Sequence, residues 1–327
     1  MNRYLPIIIL LFCGLYTARS QVCKGRVVDS ENGEPIRYAS VFLNRSSIGT
    51  ITDEKGHFEL DLKNNSAIPL IVSCIGYQTV LIEPEFLLSN LKVELKKKIY
   101  EIDNVDVASD ACSWSRKKML RIFYREFIGS TRRAKSCTIE NVDDIYLYYN
   151  DETKTLHASS KVPIMIRNKA LGYNIFFLLD YFIRTDKKLS YYGYSTFKEH
   201  IFSGKRDIER TEARRRSAYE RSFMRFVRSL YVGTLETNRY VLSKSNGGKL
   251  NLNEVVSYSS ENKKQICYNG TIVINILWHI PTYLRIKEKC MDIDSSGYYN
   301  PELVELDGFW GIFRVGDMLP FDYVYED

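Results

Sequence analysis

The chain has 327 residues, 45% of them hydrophobic and 26% charged, with a formal net charge of +6. That balance excludes a disordered or low-complexity polypeptide and supports one large or two ordinary domains with buried cores. Aromatic residues make up 13%, led by 24 Tyr, a side chain suited to half-buried strands.

Residues 1–20, "MNRYLPIIILLFCGLYTARS", place Arg3 ahead of an apolar run from Leu5 to Leu15 and end on Ala18-Arg19-Ser20. The run is shorter than the ~20 apolar residues a membrane helix needs, and it reads as a signal peptide. The mature chain is expected to start at Gln21, to be exported, and to carry no transmembrane span. Six cysteines remain after Cys13: Cys23, Cys74, Cys112, Cys137, Cys267 and Cys290. An oxidising compartment permits disulfides among them but does not dictate the pairing.

From residue 21 to 108 short apolar runs alternate with turn residues. "VCKGRVVDS", "RYASVFLN" with Ala39, Val41 and Leu43 on one face, "GTITD", and "HFELDL" through Phe58, Leu60 and Leu62 read as strands. "PLIVSCIGYQTVLIEP", "LKVELKK" and "DNVDVAS" close a set of about seven, a pattern expected of an antiparallel β-sandwich. "DEKG" at 53–56 is the turn of a hairpin. Asp53 is placed to accept from the backbone two residues on, and Gly56 tolerates positive φ. A calcium loop needs more oxygen ligands than this stretch holds, and His57 reads as a surface strand residue.

These residues resemble the carboxypeptidase-regulatory-like domain. The resemblance rests on Gly25, Asp29, Gly33, Pro35, Ala39, Val41, the Gly49-Thr50-x-Thr52-Asp53-x-x-Gly56-x-Phe58 turn and Gly76-Tyr77. It implies a seven-stranded transthyretin-like sandwich. Cys23 and Cys74 replace residues that the family usually has apolar or aromatic, and they form a candidate disulfide across the sandwich. In metallocarboxypeptidases such a module is an appendage, whose zinc site lies elsewhere with a His-x-x-Glu pair. None of the four histidines here (57, 157, 200, 279) has Glu three residues on, so peptidase activity is not expected.

Residues 112–327 read as an α+β domain with an antiparallel sheet. "SWSRKKMLRIFYREF" has helical apolar spacing, with Gly129 as its stop. "TIENVDDIYLYYN", "TLHASSKVPIMIRN", "LGYNIFFLLDYFIRT" and "LSYYGYSTFKEHIF" read as strands. The stretch from Lys205 reads as one amphipathic helix, with Tyr219, Phe223, Phe226, Val227 and Leu230 on its apolar stripe. Between Lys205 and Arg228 nine basic residues face four acidic ones, a surplus of five. Arg221, Arg225 and Arg228 line a second face, read either as solvated or as a surface for a membrane or partner. Nucleic acid is not an expected partner, since no recognition motif is present. "NEVVSYSS", "TIVINILWHI" and "YLRIKEKCMDID" return to β patterning before an aromatic tail. "REFIGSTRRAKSCTIEN", "ALGYNIFFLLDYF", "GYYNPELVELDGFW" and "RVGDMLPFDY" are similar to exported carboxypeptidase-like regulatory domain-containing proteins of Gram-negative bacteria. That similarity implies a location in the periplasm or at the outer membrane.

Chemical motifs are sparse. Gly-x-Ser-x-Gly and Gly-x-x-x-x-Gly-Lys are absent. Cys112 or Cys137 with His157 or His200, and the pairs Asp143/Asp144 and Asp292/Asp294, are isolated candidates without a supporting motif. No catalytic, cofactor or metal residue is assigned. The expectation is a non-enzymatic envelope accessory protein, linked to outer-membrane uptake or envelope assembly. Its partner would be an outer-membrane protein or a glycan. A glycan-binding protein using the tyrosines of 191–194, Tyr298-Tyr299 or Phe309-Trp310 is one alternative, and a hydrolase with a site within 112–327 is another.

Overall fold

The computed structural model describes residues 21–63, 65, 67–87, 90–98, 113–260, 263–276 and 279–325. The expected signal peptide at 1–20, the expected strand "DNVDVAS" and Cys112 lie outside the described residues. Among the described residues seven strands form the N-terminal unit: β1 (Val22–Asp29), β2 (Ser40–Leu43), β3 (Gly49–Ile51), β4 (His57–Asp61), β5 (Leu70–Ser73), β6 (Val80–Ile82) and β7 (Leu91–Leu95). They make two sheets, ordered β4-β1-β7 and β3-β2-β5-β6. The alternating residues Val41, Leu43, Phe58, Leu60 and Leu62 are buried between them, as strand periodicity requires.

Two expectations are corrected here. The sandwich is not wholly antiparallel, because β1 runs parallel to β7 from Gly25↔Leu91 to Asp29↔Leu95. Parallel neighbours need a long crossover, and all the intervening strands supply it. Cys23 and Cys74 are thiols and form no disulfide. Cys23 starts β1, whereas Tyr77, three residues past Cys74, donates to Asp29 at the other end of β1. The length of β1 at ~3.3 Å per residue separates the two ends, far beyond the ~4.4–6.8 Å between Cα atoms that a disulfide spans.

The second region opens with α1 (Arg116–Phe127), whose N-cap Ser115 accepts from the Lys118 N–H. It buries Met119, Ile122, Phe123 and Phe127 and stops before Gly129, at φ +108°. A six-stranded antiparallel sheet follows from β8 (Cys137–Ile139), β9 (Ile145–Asn150), β10 (Thr155–Ser160), β11 (Ile164–Asn168), β12 (Tyr173–Arg184) and β13 (Leu189–Glu199). β12 pairs with β11 along its first half and with β10 at its end, with β13 beside it throughout.

The basic stretch is two helices, α2 (Lys205–Glu220) and α3 (Phe223–Val232), where one was expected. The break falls at Arg221–Ser222 because Ser222 caps α3, its hydroxyl accepting from the Arg225 N–H. The predicted stripe Tyr219, Phe223, Phe226, Val227 and Leu230 is buried across the break. The remaining elements are β14 (Tyr240–Lys244), α4 (Leu252–Val255), β15 (Val256–Ser260), β16 (Lys263–Cys267), β17 (Thr271–Ile276), β18 (Thr282–Ile286), β19 (Cys290–Ile293) and β20 (Val304–Gly308). They form the sheets β14-β17-β18-β20 and β15-β16-β19. Cys267 and Cys290, opposite each other on β16 and β19, are joined in a disulfide.

The two regions meet at the β2–β3 hairpin tip. The Arg45 N–H donates to Ser195 O and the Phe321 N–H donates to Arg45 O, each at 2.7 Å. The Phe197 N–H donates to Ser46 O at 2.9 Å, and the Ser47 N–H to Asp322 Oδ1 at 2.8 Å. The Arg45 guanidinium lies 4.5 Å from the Phe321 ring centroid. Backbone hydrogen bonds therefore hold the tip between β13 and the segment at 321–322.

Candidate functional site

Above this clasp the outer face of β3-β2-β5 looks across at one face of β12 and β13. A cleft of about 1050 Å³ lies between them, the size of a generous small-molecule site. Strand alternation positions its walls: Ser40 and Phe42 point out of the sandwich, while Val41 and Leu43 point in. Opposite stand Phe176 and Leu178 on β12, paired in register with Thr196 and Tyr194 on β13.

Two local irregularities shape the cleft. The ladder shifts between Leu179↔Gly193 and Tyr181↔Tyr192, leaving Asp180 as the extra residue of a bulge at the cleft wall. Gly193 permits the bulge, since a Cβ there would stand 2.1 Å from Leu178 O and 2.6 Å from the Phe177 ring. On the other wall Tyr38 has φ +58°, an uncommon conformation for a bulky residue. Thr52, only 1% exposed, holds it there. Its Oγ1 accepts from the Ala39 N–H at 2.8 Å and donates to Ile36 O at 2.7 Å. Its carbonyl accepts from the Tyr38 N–H at 3.0 Å. The Tyr38 ring is left 59% exposed at the cleft.

Tyr77 and Tyr194 complete the aromatic lining. The Tyr77 hydroxyl donates to the buried Asp29 carboxylate at 3.0 Å. The Glu31 N–H chiefly holds that carboxyl below its ordinary range, against the opposing effect of burial, with Tyr77 assisting. Burial and then Asp29 push the Tyr77 phenol up, and burial pushes Tyr194 up. Both tyrosines therefore stay protonated.

The other candidates serve the fold. Arg228 donates to the carbonyls of Ser296, Phe321 and Tyr323, and Arg225 donates to Asn238 Oδ1. Of the three arginines, Arg221 alone is exposed. They do not form one open basic face, because the packing that buries the apolar stripe turns two of them onto neighbouring loops. Burial raises the Cys137 thiol to about 12, which keeps it from being a thiolate nucleophile. His200 is bonded to Asn174, and His157 sits beside Tyr148. Asp143 and Asp144 are exposed, and Asp294 is buried on Ser296 and Tyr298. Among the described residues no three His, Cys, Asp or Glu side chains converge as metal ligands. Tyr191 packs against Phe127 and Phe182, Tyr299 against Phe223 and Phe321, and Trp310 against Phe223 and Phe226. Of the aromatic clusters singled out in the sequence, Tyr194 reaches the cleft. Tyr38, Thr52, Asp180 and Gly193 had no sequence signal for their roles, since a strained φ and a bulge leave no periodic trace.

Comparison with known proteins adds to this geometry. Over 81 residues the chain is 32% identical to the TonB-dependent receptor SusC of Bacteroides thetaiotaomicron, which spans 24% of this chain and 8% of that protein. A 9R-lipoxygenase from Cyanothece PCC8801 aligns over 60% of this chain and 44% of its own, at 11% identity and a TM-score of 0.17, too low to carry an argument. Residues 23–107 match the CarboxypepD_reg-like domain family. With its two packed sheets, the N-terminal segment of this chain is a CarboxypepD_reg-like domain.

Proposed function

We propose that the protein is a non-enzymatic accessory protein of a Gram-negative envelope, exported to the periplasm or outer-membrane surface and working beside an outer-membrane uptake receptor. The observation that carries this reading is the 81-residue likeness to a TonB-dependent receptor. Residues 23–107 match the CarboxypepD_reg-like domain. The Cys267–Cys290 disulfide supports export, because such bonds persist in oxidising compartments. No helix among the described residues is long and apolar enough to cross a membrane.

The test is affinity purification of the tagged mature chain from gently solubilised native envelopes, followed by mass spectrometry. A stoichiometric outer-membrane receptor is the expected companion. Recovery of the chain alone, at endogenous expression and after mild cross-linking, would overturn the reading.

A further inference from the structure

We propose that the cleft between the sandwich and the β12–β13 ribbon binds an oligosaccharide, with Tyr38 as its stacking platform and Asp180 as an acceptor for sugar hydroxyls. This goes beyond the accessory role and does not depend on it. A sugar ring offers an apolar C–H face and a rim of hydroxyls, each of which both donates and accepts. The cleft supplies complements to both. Three tyrosines, Tyr38, Tyr77 and Tyr194, line it above a floor that includes Phe42 and Phe176. Seven serine and threonine side chains and Gln78 line it as well. Neutral hydroxyl and amide groups match hydroxyls in both directions, and a carboxylate accepts more strongly than either.

Tyr38 makes the site a built one. A bulky residue at positive φ is held against its own backbone preference, and such strain persists only where surrounding structure over-determines it. Thr52 over-determines it, and the product is an aromatic ring more than half exposed. A ring serving only to pack would be buried. Asp180 is likewise placed by an irregularity, the bulge, and makes no ion pair or hydrogen bond with another described residue. Outward side chains of β2 and β12 form the middle of the two walls, with the edge strands β3 and β13 beside them. Among the described lining residues Asp180 is the one carboxylate, and no histidine is present. Glycoside hydrolysis ordinarily uses a pair of carboxylates, so the lining fits capture without cleavage.

The experiment is isothermal titration of the mature chain with maltohexaose, cellohexaose, xylohexaose and chitohexaose. Binding of at least one is expected, at a Kd in the range typical of exposed sites, ~1 mM or tighter. Tyr38→Gly removes the ring while suiting the backbone, so it lowers affinity about tenfold or more and leaves the melting temperature unchanged or higher. Asp180→Asn weakens binding about threefold to tenfold. Silence with every probe up to about 10 mM overturns the proposal. So does binding that both variants retain at full strength, which would put the saccharide elsewhere. Receptor co-purification unaffected by either substitution would leave the accessory role standing when the cleft assignment fails.

Discussion

Thr52→Val tests how the strained turn at Tyr38 is held. The substitution keeps the shape of the side chain and replaces its hydroxyl with a methyl. Two buried backbone groups then lose their partner: the Ala39 N–H, 2.8 Å from Oγ1, and the Ile36 carbonyl, 2.7 Å away. An orphaned buried polar group costs about 1–3 kcal/mol, giving about 2–6 kcal/mol for the pair. The added methyl recovers about 0.8 kcal/mol through burial, so the net loss is about 3 kcal/mol. Urea unfolding followed by far-ultraviolet circular dichroism reads this directly. Thr52→Ser, which keeps the hydroxyl and drops the methyl, is the control and loses only about 1 kcal/mol. If Thr52→Val proves as stable as wild type, or Thr52→Ser the weaker of the two, methyl packing holds the turn and the hydrogen-bond account is wrong.

Gly193→Ala forces a Cβ to within 2.1 Å of a backbone carbonyl, so a loss of about 3 kcal/mol or more in thermal unfolding is expected; a neutral result would mean the bulge shifts freely. Burial raises the carboxyls of Asp294 and Asp317, against the lowering effect of Ser296 on the first and of Thr131 and Arg133 on the second. Between an unfolded value of about 3.9 and those raised native values the folded chain binds more protons than the unfolded one. Stability therefore falls as pH rises through that window and levels off above it. The Asp317→Asn profile should be flatter than wild type over that window, and superimposable slopes would count against a raised native value. The Cys267–Cys290 bond closes a loop with a sequence separation of 23; replacing both by Ser should lower stability by about 3 kcal/mol in denaturant titration, and no change would mean the loop is already constrained without it.

Local chemistry made part of this fold readable. In "GTITDEKGHFEL" Asp53 Oδ1 accepts from the N–H groups of Lys55 and His57, and Gly56 takes φ +74° with no room for a Cβ beside Val27 O. The Asp53 bonds and the positive φ of Gly56 are properties of adjacent residues and need no knowledge of the rest, whereas the closeness of Val27 O comes from the pairing of β1 with β4. The buried face of α1 was readable for the same reason. What escaped were facts about partners. Period-2 alternation says which way Val93 points, but not that its strand lies parallel to β1. The Cys267–Cys290 pairing becomes visible only once β16 and β19 are known to be neighbours. The helix break at Ser222 escaped because the apolar stripe stays in phase across it. The cleft is the extreme case, since its walls join Tyr38 to Lys198 through a topology that no window of sequence contains.

The hairpin tip at Arg45 carries a consequence for how the protein comes into being. Ser47 meets Asp322 across 275 positions of chain. The sandwich is therefore synthesised well before the segment it packs against, and completes its contacts only once that segment follows. Until the distant segment arrives, Arg45 lacks the ring it lies over and Ser47 lacks the carboxylate it donates to. Such a domain is a poor candidate for transplantation as a stand-alone bead. In the cell it would present a vulnerable surface to proteases and holding chaperones for as long as synthesis of the distant segment takes to finish.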